Sequence, residues 1–331
     1  MAENYYELRL QINPDMEDLI SEIFFENFDC EGIVLAEETY KDLEIVSTTE
    51  GTLRIFLKNE YDDDEDLKYD IENVLDLSRE EFLSRGLSDE ELGSWEFTLE
   101  KKENEDWSKK WKESWDVTHV TDGIAVVPDW IDYEPKENEV IIKLEPGCAF
   151  GTGTHQTTQL CMKALEKYLK PNDTVADIGM GSGILSILAK KLGASYVYGC
   201  DNDETVIEVA KDNARKNGIT ISPRPFGERE EFLNERSEFR NSGEGFYVEL
   251  NTADKVSKQF DFVCANILHF VLAEIMPDLK NIMKQNALMS LSGILDEKKQ
   301  MVIDAYEREG LELVEEIHQD QWTSFVVKRI D

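Results

Sequence analysis

Apolar positions along this chain follow two rhythms, one before about residue 104 and one after about residue 172. In the first region the stretch YYELRLQI (5–12) alternates apolar and polar residues as a half-buried strand does. Met16, Leu19, Ile20, Ile23 and Phe24 then recur at helical spacing behind Asp15, which predicts a helix capped by that aspartate. Three short strand patterns follow, GIVLAEE, DLEIVST and GTLRIFL, with Gly51 at the expected hairpin turn. DDDEDLKYDIENVLDLSREEFLSRG reads as a helix whose acidic first turn opposes the positive end of the helix dipole and whose end is Gly86. SWEFTLEKKE (94–103) closes the unit as a strand. That order predicts a small ferredoxin-like α+β domain over 1–104, a split βαβ sandwich.

Residues 105–145 read as a connector. Trp107, Trp111 and Trp115 fall four apart, so they share one face of a predicted helix, with lysines on the other faces. GIAVVPDWIDY and EVIIKLEP lead on as strands. From about 172 the pattern changes to apolar strands alternating with helices: TVADIG, ILSILAKKLGA, SYVYGCD, DETVIEVAKDNARKNG, ITISP, then FDFVCAN, a helix near 270–284, ALMSLSGI and a helix near 296–309. Such alternation predicts a doubly wound, Rossmann-like parallel sheet of the α/β class occupying 146–331. ELVEEIHQD and WTSFVVKR have no helix between them, which predicts an antiparallel hairpin at the sheet edge. A charged stretch over about 225–255 is too long for an ordinary loop and is expected to be an insertion.

Composition narrows the function classes. The 331 residues carry 71 acidic against 35 basic side chains, a formal net charge of −36. A polyanion is repelled by such a molecule, so direct nucleic-acid binding is not expected and a basic partner is. The excess is concentrated in residues 1–104, with 31 acids against 9 bases, which makes that domain the candidate for docking something basic. A solvated acidic surface serving solubility alone is the plainer reading of the same numbers. Five scattered cysteines (Cys30, Cys148, Cys161, Cys200, Cys264) without CxxC spacing argue against a disulfide framework or a zinc site, and no metal is expected. The N-terminus lacks the basic-then-apolar pattern of a signal peptide and no run approaches the ~20 apolar residues of a membrane span. A cytoplasmic monomer is expected.

Two glycine clusters then compete as ligand sites: EPGCAFGTGTHQTT (145–158) and DIGMGSG (177–183). Ligands of open parallel sheets bind at the carboxyl ends of the strands beside the point where strand order reverses, which favours the loop after the first strand, DIGMGSG. Its glycines, Gly179, Gly181 and Gly183, spell GxGxG and not the GxGxxG of a dinucleotide binder. A pyrophosphate avoids a nearby anion, yet Asp177 stands just before the loop. An acid there suits a cation, and S-adenosylmethionine carries both an ammonium and a sulfonium. Asp201, ending the next strand, is placed for the ribose hydroxyls. The first cluster precedes the sheet and is expected to be a flap over the same pocket, with Thr158 at the start of a helix facing the ligand or capping the helix. Asn266, ending FDFVCAN, resembles the first position of the Asn-Pro-Pro-aromatic motif of amino-group methyltransferases, with Ile267 and Leu268 in place of the prolines.

Together EPGCAFGTGTHQTT, DIGMGSG, the strand ending at Asp201, VCANIL and LSGIL resemble the ribosomal protein L-eleven methyltransferase family, from Trp107 to the C-terminus. Glu145 stands where that family usually has aspartate and Met180 where cysteine or threonine is common. The resemblance implies S-adenosylmethionine as cofactor, contacted by Thr158, Gly179, Asp201 and Asn266, and a basic ribosomal protein as substrate, methylated on lysine side chains or its N-terminal amine. Methyl transfer to an amine is an in-line displacement governed by positioning. Asn266 is accordingly the expected catalytic residue, orienting the amine, and no strong base is needed. Phe150 is expected among the cofactor contacts, and Trp107, Phe150 or Trp322 as apolar walls. His155 and His269 read as loop or capping residues. The alternatives are a methyltransferase acting on another basic protein or RNA, and a docking module that binds the cofactor without catalysis.

Overall fold

The computed structural model describes residues 5–28, 30–34, 38–41, 44–48, 51–58, 64–102, 116–144, 153–223 and 245–331. The chain divides into two compact units, Met1–Trp115 and Asp116–Asp331. The tryptophans at 107, 111 and 115, the flap residues 145–152 with Phe150, and the stretch 224–244 lie outside the described residues. Among the described residues no helix is long and apolar enough to cross a membrane.

The first unit is the α+β sandwich its pattern predicts. Strands β1 (Tyr5–Gln11), β2 (Cys30–Val34), β5 (Thr52–Lys58) and β6 (Phe97–Lys102) form an antiparallel sheet in the order β2-β5-β1-β6. A separate hairpin joins β3 (Glu38–Lys41) to β4 (Glu44–Thr48). Tyr6, Leu8 and Leu10 of β1 are buried beside Ile20 and Phe24 of α1 (Glu17–Asn27) and Leu67, Ile71 and Leu75 of α2 (Asp64–Ser84). The short α3 (Asp89–Leu92) opens with a capping box in which Ser88 and Glu91 satisfy each other's backbone amides. Position 15 lies in a 3-10 turn, Pro14–Met16, and the N-cap position of α1 falls to Met16, one residue after the expected one.

In the second unit, β7 (Thr118–Thr121), β8 (Ile124–Pro128) and β9 (Val140–Leu144) make a small three-stranded sheet. Helix α4 (Gln156–Tyr168) precedes β10 (Thr174–Ile178), α5 (Ile184–Lys191), β11 (Tyr196–Asp201), α6 (Glu204–Lys216) and β12 (Gly245–Leu250). Next come β13 (Phe260–Asn266), α7 (His269–Asn281), β14 (Met283–Leu295), α8 (Lys299–Arg308), β15 (Leu311–Gln319) and β16 (Trp322–Arg329). The seven-stranded sheet has the order β12-β11-β10-β13-β14-β16-β15. Strands β12 to β14 run parallel, and β15 and β16 are the antiparallel edge hairpin expected from the missing helix. This is a Rossmann-like doubly wound sheet with one apolar core on each face. Val175, Val197, Phe262 and Cys264 pack under α4, α5 and α6, while Ala176, Tyr198, Val263 and Ala265 pack against α7 and α8.

Two readings of the sequence are corrected here. The third parallel strand is not ITISP, of which Ile221 makes only a single bridge to Phe246, but GFYVEL at Gly245–Leu250, inside the span expected to be an insertion. The alternation Phe246, Val248 is what buries this strand, and the charged residues before it mask the signal. In addition β14 begins at Met283, inside the span expected to be the end of a helix.

Candidate active site

Strand order reverses between β10 and β13, and the residues singled out in the sequence cluster at the carboxyl ends of these strands and of β11. Alternation along a strand sends successive side chains to opposite faces. Val175, Val197, Phe262 and Cys264 belong to the core under α4 to α6, so Asp177, Asp201 and Asn266, each an even number of residues from one of them, share that face. The parallel register sets Asp177 opposite Cys264 and Asn266 opposite Ser292.

The glycine loop is shaped by its neighbours. Gly179, Gly181 and Gly183 have φ of 68°, 50° and 77°, a left-handed region that favours glycine. A side chain at Gly179 would come within 3.0 Å of Ile267, so the loop after β10 and the turn after β13 touch at that point. The amides of Gly179 and Met180 donate to the Cys200 carbonyl (2.9 and 3.1 Å), and the Gly181 amide donates to Asp201 Oδ2 (2.9 Å). Asp203 N–H donates to Asp201 Oδ1 (3.1 Å). A carboxylate has about four lone-pair sites, so Asp201 retains acceptor capacity beyond its backbone bonds. Burial raises its pKa, partly opposed by these backbone bonds.

Asp177 is buried more deeply than a simple ligand grip requires, at 1% exposure. Its Oδ2 accepts from both the amide (3.0 Å) and hydroxyl (2.6 Å) of Ser186 in the first turn of α5, so half of this carboxylate fastens the helix that follows the loop. Its other oxygen, Oδ1, is buried without a hydrogen-bond partner. Burial pushes the carboxyl up to about 6, with the Asp201 charge adding to the rise. A carboxyl raised by burial and by a neighbouring carboxylate is relieved by a cation.

Asn266 is the second group of this kind. Its Nδ2 donates to Thr158 Oγ1 (3.2 Å), and its Oδ1 is buried with no partner. Unmade bonds of buried acceptors cost about 1–3 kcal/mol each, so acceptors left open on neighbouring strand tips mark a place for donors. An ammonium-bearing nucleoside and an amine supply such donors, and the residues present fit S-adenosylmethionine on that ground. Burial pushes the Cys161 and Cys200 thiols up to about 12 and Cys264 well above its ordinary value, so none of these three is a thiolate nucleophile at neutral pH.

The expectation that Thr158 begins α4 is corrected. The cap is His155, whose Nδ1 accepts from the Thr157 amide (3.3 Å), and Thr158 sits inside the first turn, fully buried. Trp322 is also buried and meets the His155 ring edge-on at 4.9 Å. His269 is the first residue of α7 and is buried.

Comparison with known proteins shows the family. The profile of the family described as ribosomal protein L11 methyltransferase (PrmA) matches residues 4–330. The chain belongs to the ribosomal protein L11 methyltransferase family. The ribosomal protein L11 methyltransferase of Clostridium perfringens is 30% identical over 342 residues, with 99% of each chain covered. That of Caldicellulosiruptor bescii is 31% identical over 337 residues, covering 98% of this chain and 99% of the other. A solved ribosomal protein L11 methylase from Lactobacillus delbrueckii subsp. bulgaricus is 30% identical, with a TM-score of 0.55, over 66% of this chain and 100% of that one. The family resemblance seen in the motifs therefore holds. Within this L11 methyltransferase scaffold, sequence reasoning did not single out Ser186, nor Ser292 and Gly293 within the LSGIL motif, whose contacts lie between elements. It also missed Leu250, half-exposed at the tip of β12 in register with Asp201, for which an exposed apolar residue at a strand end is the signal.

Proposed function

We propose that the chain transfers methyl groups from S-adenosylmethionine to amino groups of ribosomal protein L11, on lysine side chains or the N-terminal amine. The observation that carries this reading is the pair of open buried acceptors, Asp177 Oδ1 and Asn266 Oδ1, on the strands either side of the reversal point. In this reading Asp201 takes the ribose hydroxyls, the glycine loop lets the backbone approach the nucleoside, and Asp177 with Asp201 balances its positive charge. Leu250 supplies apolar surface beside the ribose end. When bound, S-adenosylmethionine supplies an electrophilic methyl on a sulfonium.

The rest is positioning. Asn266 Oδ1 accepts an N–H of the substrate amine and so aims its lone pair; it removes no proton. A lysine of pKa ~10.4 reaches the neutral state by entering an apolar site beside positive charge, which lowers that value. The proton leaves to solvent before transfer. The acidic first unit recruits a basic partner, and an open groove of ≈ 610 Å³ on it carries Glu72, Asp76 and Glu96 beside the apolar Leu75, Trp95 and Phe97, with Lys68 and Arg79 also in its lining. A ribosomal protein substrate also implies a cytoplasmic enzyme.

The test is transfer of labelled methyl from S-adenosylmethionine to purified L11, with modified amines mapped by mass spectrometry. Asn266→Ala is expected to lower kcat by about 100-fold, the scale of lost alignment, with cofactor Kd within a few-fold. Unchanged turnover would remove Asn266 from the mechanism, and cofactor binding with no transfer to L11 would leave only a docking module.

A further inference from the structure

Two asparagines one turn apart on α6 hold two parts of the second unit that no sequence motif connects. Asn213 and the C-cap residue Asn217 are four positions apart, so their side chains share a face of the helix. Asn213 is buried, and its Nδ2 donates to the Ser182 carbonyl inside the glycine loop (3.0 Å). Asn217 Oδ1 accepts from the Lys143 amide (2.9 Å), while its Nδ2 donates to the Lys143 carbonyl (2.6 Å) and to the Asn213 carbonyl (2.8 Å). These partners are backbone groups with fixed donor and acceptor roles, so each amide has one orientation that satisfies it. β9 is an edge of the three-stranded sheet, and Asn217 pairs with the backbone of Lys143 there as a further strand would.

The two ties belong to one closed circuit. β9 pairs with β8, and Val126 of β8 meets Gly153: a Cβ at Gly153, whose φ is +82°, would lie 2.8 Å from Val126 Cγ2 and 2.8 Å from Ile184 Cδ1. Ile184 follows Gly183 and opens α5, and a Cβ at Gly183 would lie 3.1 Å from Ala210 Cβ on α6. The glycine loop is thus wedged between α6 and the packing of the small sheet on Gly153, with Asn213 and Asn217 drawing both sides onto the same helix. An ion pair from Lys216 to Asp129 (2.8 Å), just past β8, runs parallel to the Asn217 tie, but it is partly exposed and adds little.

We infer that Asn213 and Asn217 are positioning residues for S-adenosylmethionine, acting through the Ser182 and Lys143 backbones to fix the spacing between the glycine loop and the small sheet. The inference rests on the reading of the glycine loop as the nucleoside site. A loop already held in shape for the nucleoside loses less freedom on binding it, so the two ties raise affinity for the cofactor and leave the transfer step to Asn266.

Calorimetric titration of the full-length protein with S-adenosylmethionine, beside kinetics with L11, tests this. Asn213→Ala and Asn217→Ala are each expected to raise cofactor Kd about five-fold or more, the scale of changes along a coupled contact network, with kcat at saturating cofactor and KM for L11 within about two-fold. The double variant is expected to fall short of the product of the two losses, because a circuit cut once is already open. Hydrogen exchange gives a readout that a merely structural role would not move. Saturating S-adenosylmethionine is expected to slow exchange of the wild-type Lys143 amide about five-fold or more, and this slowing is expected to vanish in Asn213→Ala, which leaves the Lys143 contact itself intact. Asn217→Ala, at the half-buried end of α6, provides the affinity test should Asn213→Ala fold poorly. Unchanged cofactor Kd in both variants overturns the inference, as does a double variant equal to the product of the singles, a loss confined to kcat, or a Lys143 amide indifferent to cofactor. A wild-type protein that binds no S-adenosylmethionine defeats the reading beneath it instead.

Discussion

Asp177 carries two demands on one carboxylate. Ser186 holds one oxygen and favours the ionised form, yet burial outweighs this and pushes the group up to about 6. The unfolded chain releases that proton near pH 3.9. Between the two values the folded protein binds more protons than the unfolded one, so stability from this group is present at low pH and lost as pH rises through about 6. Asn at this position is permanently neutral and lacks the penalty. Wild type is therefore expected to lose about 3 kcal/mol relative to Asp177→Asn between pH 4 and 7, measured as unfolding free energies in urea; parallel pH curves would contradict it. A bound cation reverses the balance by favouring the ionised carboxylate, so S-adenosylmethionine affinity in wild type is expected to tighten from pH 5 to 7. Asp201 gives the complementary case: Asp201→Ala removes acceptors for ribose and is expected to weaken cofactor binding by about 1–3 kcal/mol in calorimetry, with kcat at saturation little changed.

Elements explain why the sequence carried the site only part of the way. The rhythm from residue 172 onward made β10, α5, β11 and β13 legible, and strand tips are countable positions, so Asp177, Asp201 and Asn266 emerged with them. What stayed hidden depends on which element lies across the way. Nothing near Ser186 announces that its hydroxyl anchors Asp177. Ser292 and Thr157 look like ordinary polar residues of a strand and a helix until β14 and α4 are packed on the same face. Thr158 reads as the start of α4 because threonine is a common cap; the structure gives that place to His155, which reads as a loop or capping residue. β12 was misread because a charged approach conceals a six-residue strand whose burial comes from its partner. Gly293 tests the packing argument directly. Gly293→Ala combines a left-handed φ with a clash against the Ile267 carbonyl, so it is expected to cost about 1–3 kcal/mol of stability. It is also expected to lower kcat by displacing the turn that bears Asn266; a melting curve and turnover like wild type would show that this approach is slack.

Across the whole molecule the dominant property is a net charge of −36, with 31 acids against 9 bases in the first 104 residues. A field of that sign attracts a basic protein over distances of about 10 Å at 0.1 M salt and is screened beyond that. Long-range attraction speeds encounter more than it alters chemistry at the strand tips. Raising sodium chloride from 50 to 300 mM is therefore expected to increase KM for L11 several-fold, with kcat and cofactor Kd nearly constant, because Asp177, Asp201 and Asn266 are largely withdrawn from solvent. Reversing Glu72 and Asp76 to lysine localises the effect: both lie on the exposed side of α2 and line the groove of the first unit. That double variant is expected to raise KM for L11 at 50 mM salt and flatten its salt dependence, with methylation of a short lysine peptide proceeding at the wild-type rate. A KM indifferent to salt and to these reversals would assign the acidity to solubility, and recruitment of L11 would then have to rest on apolar contact.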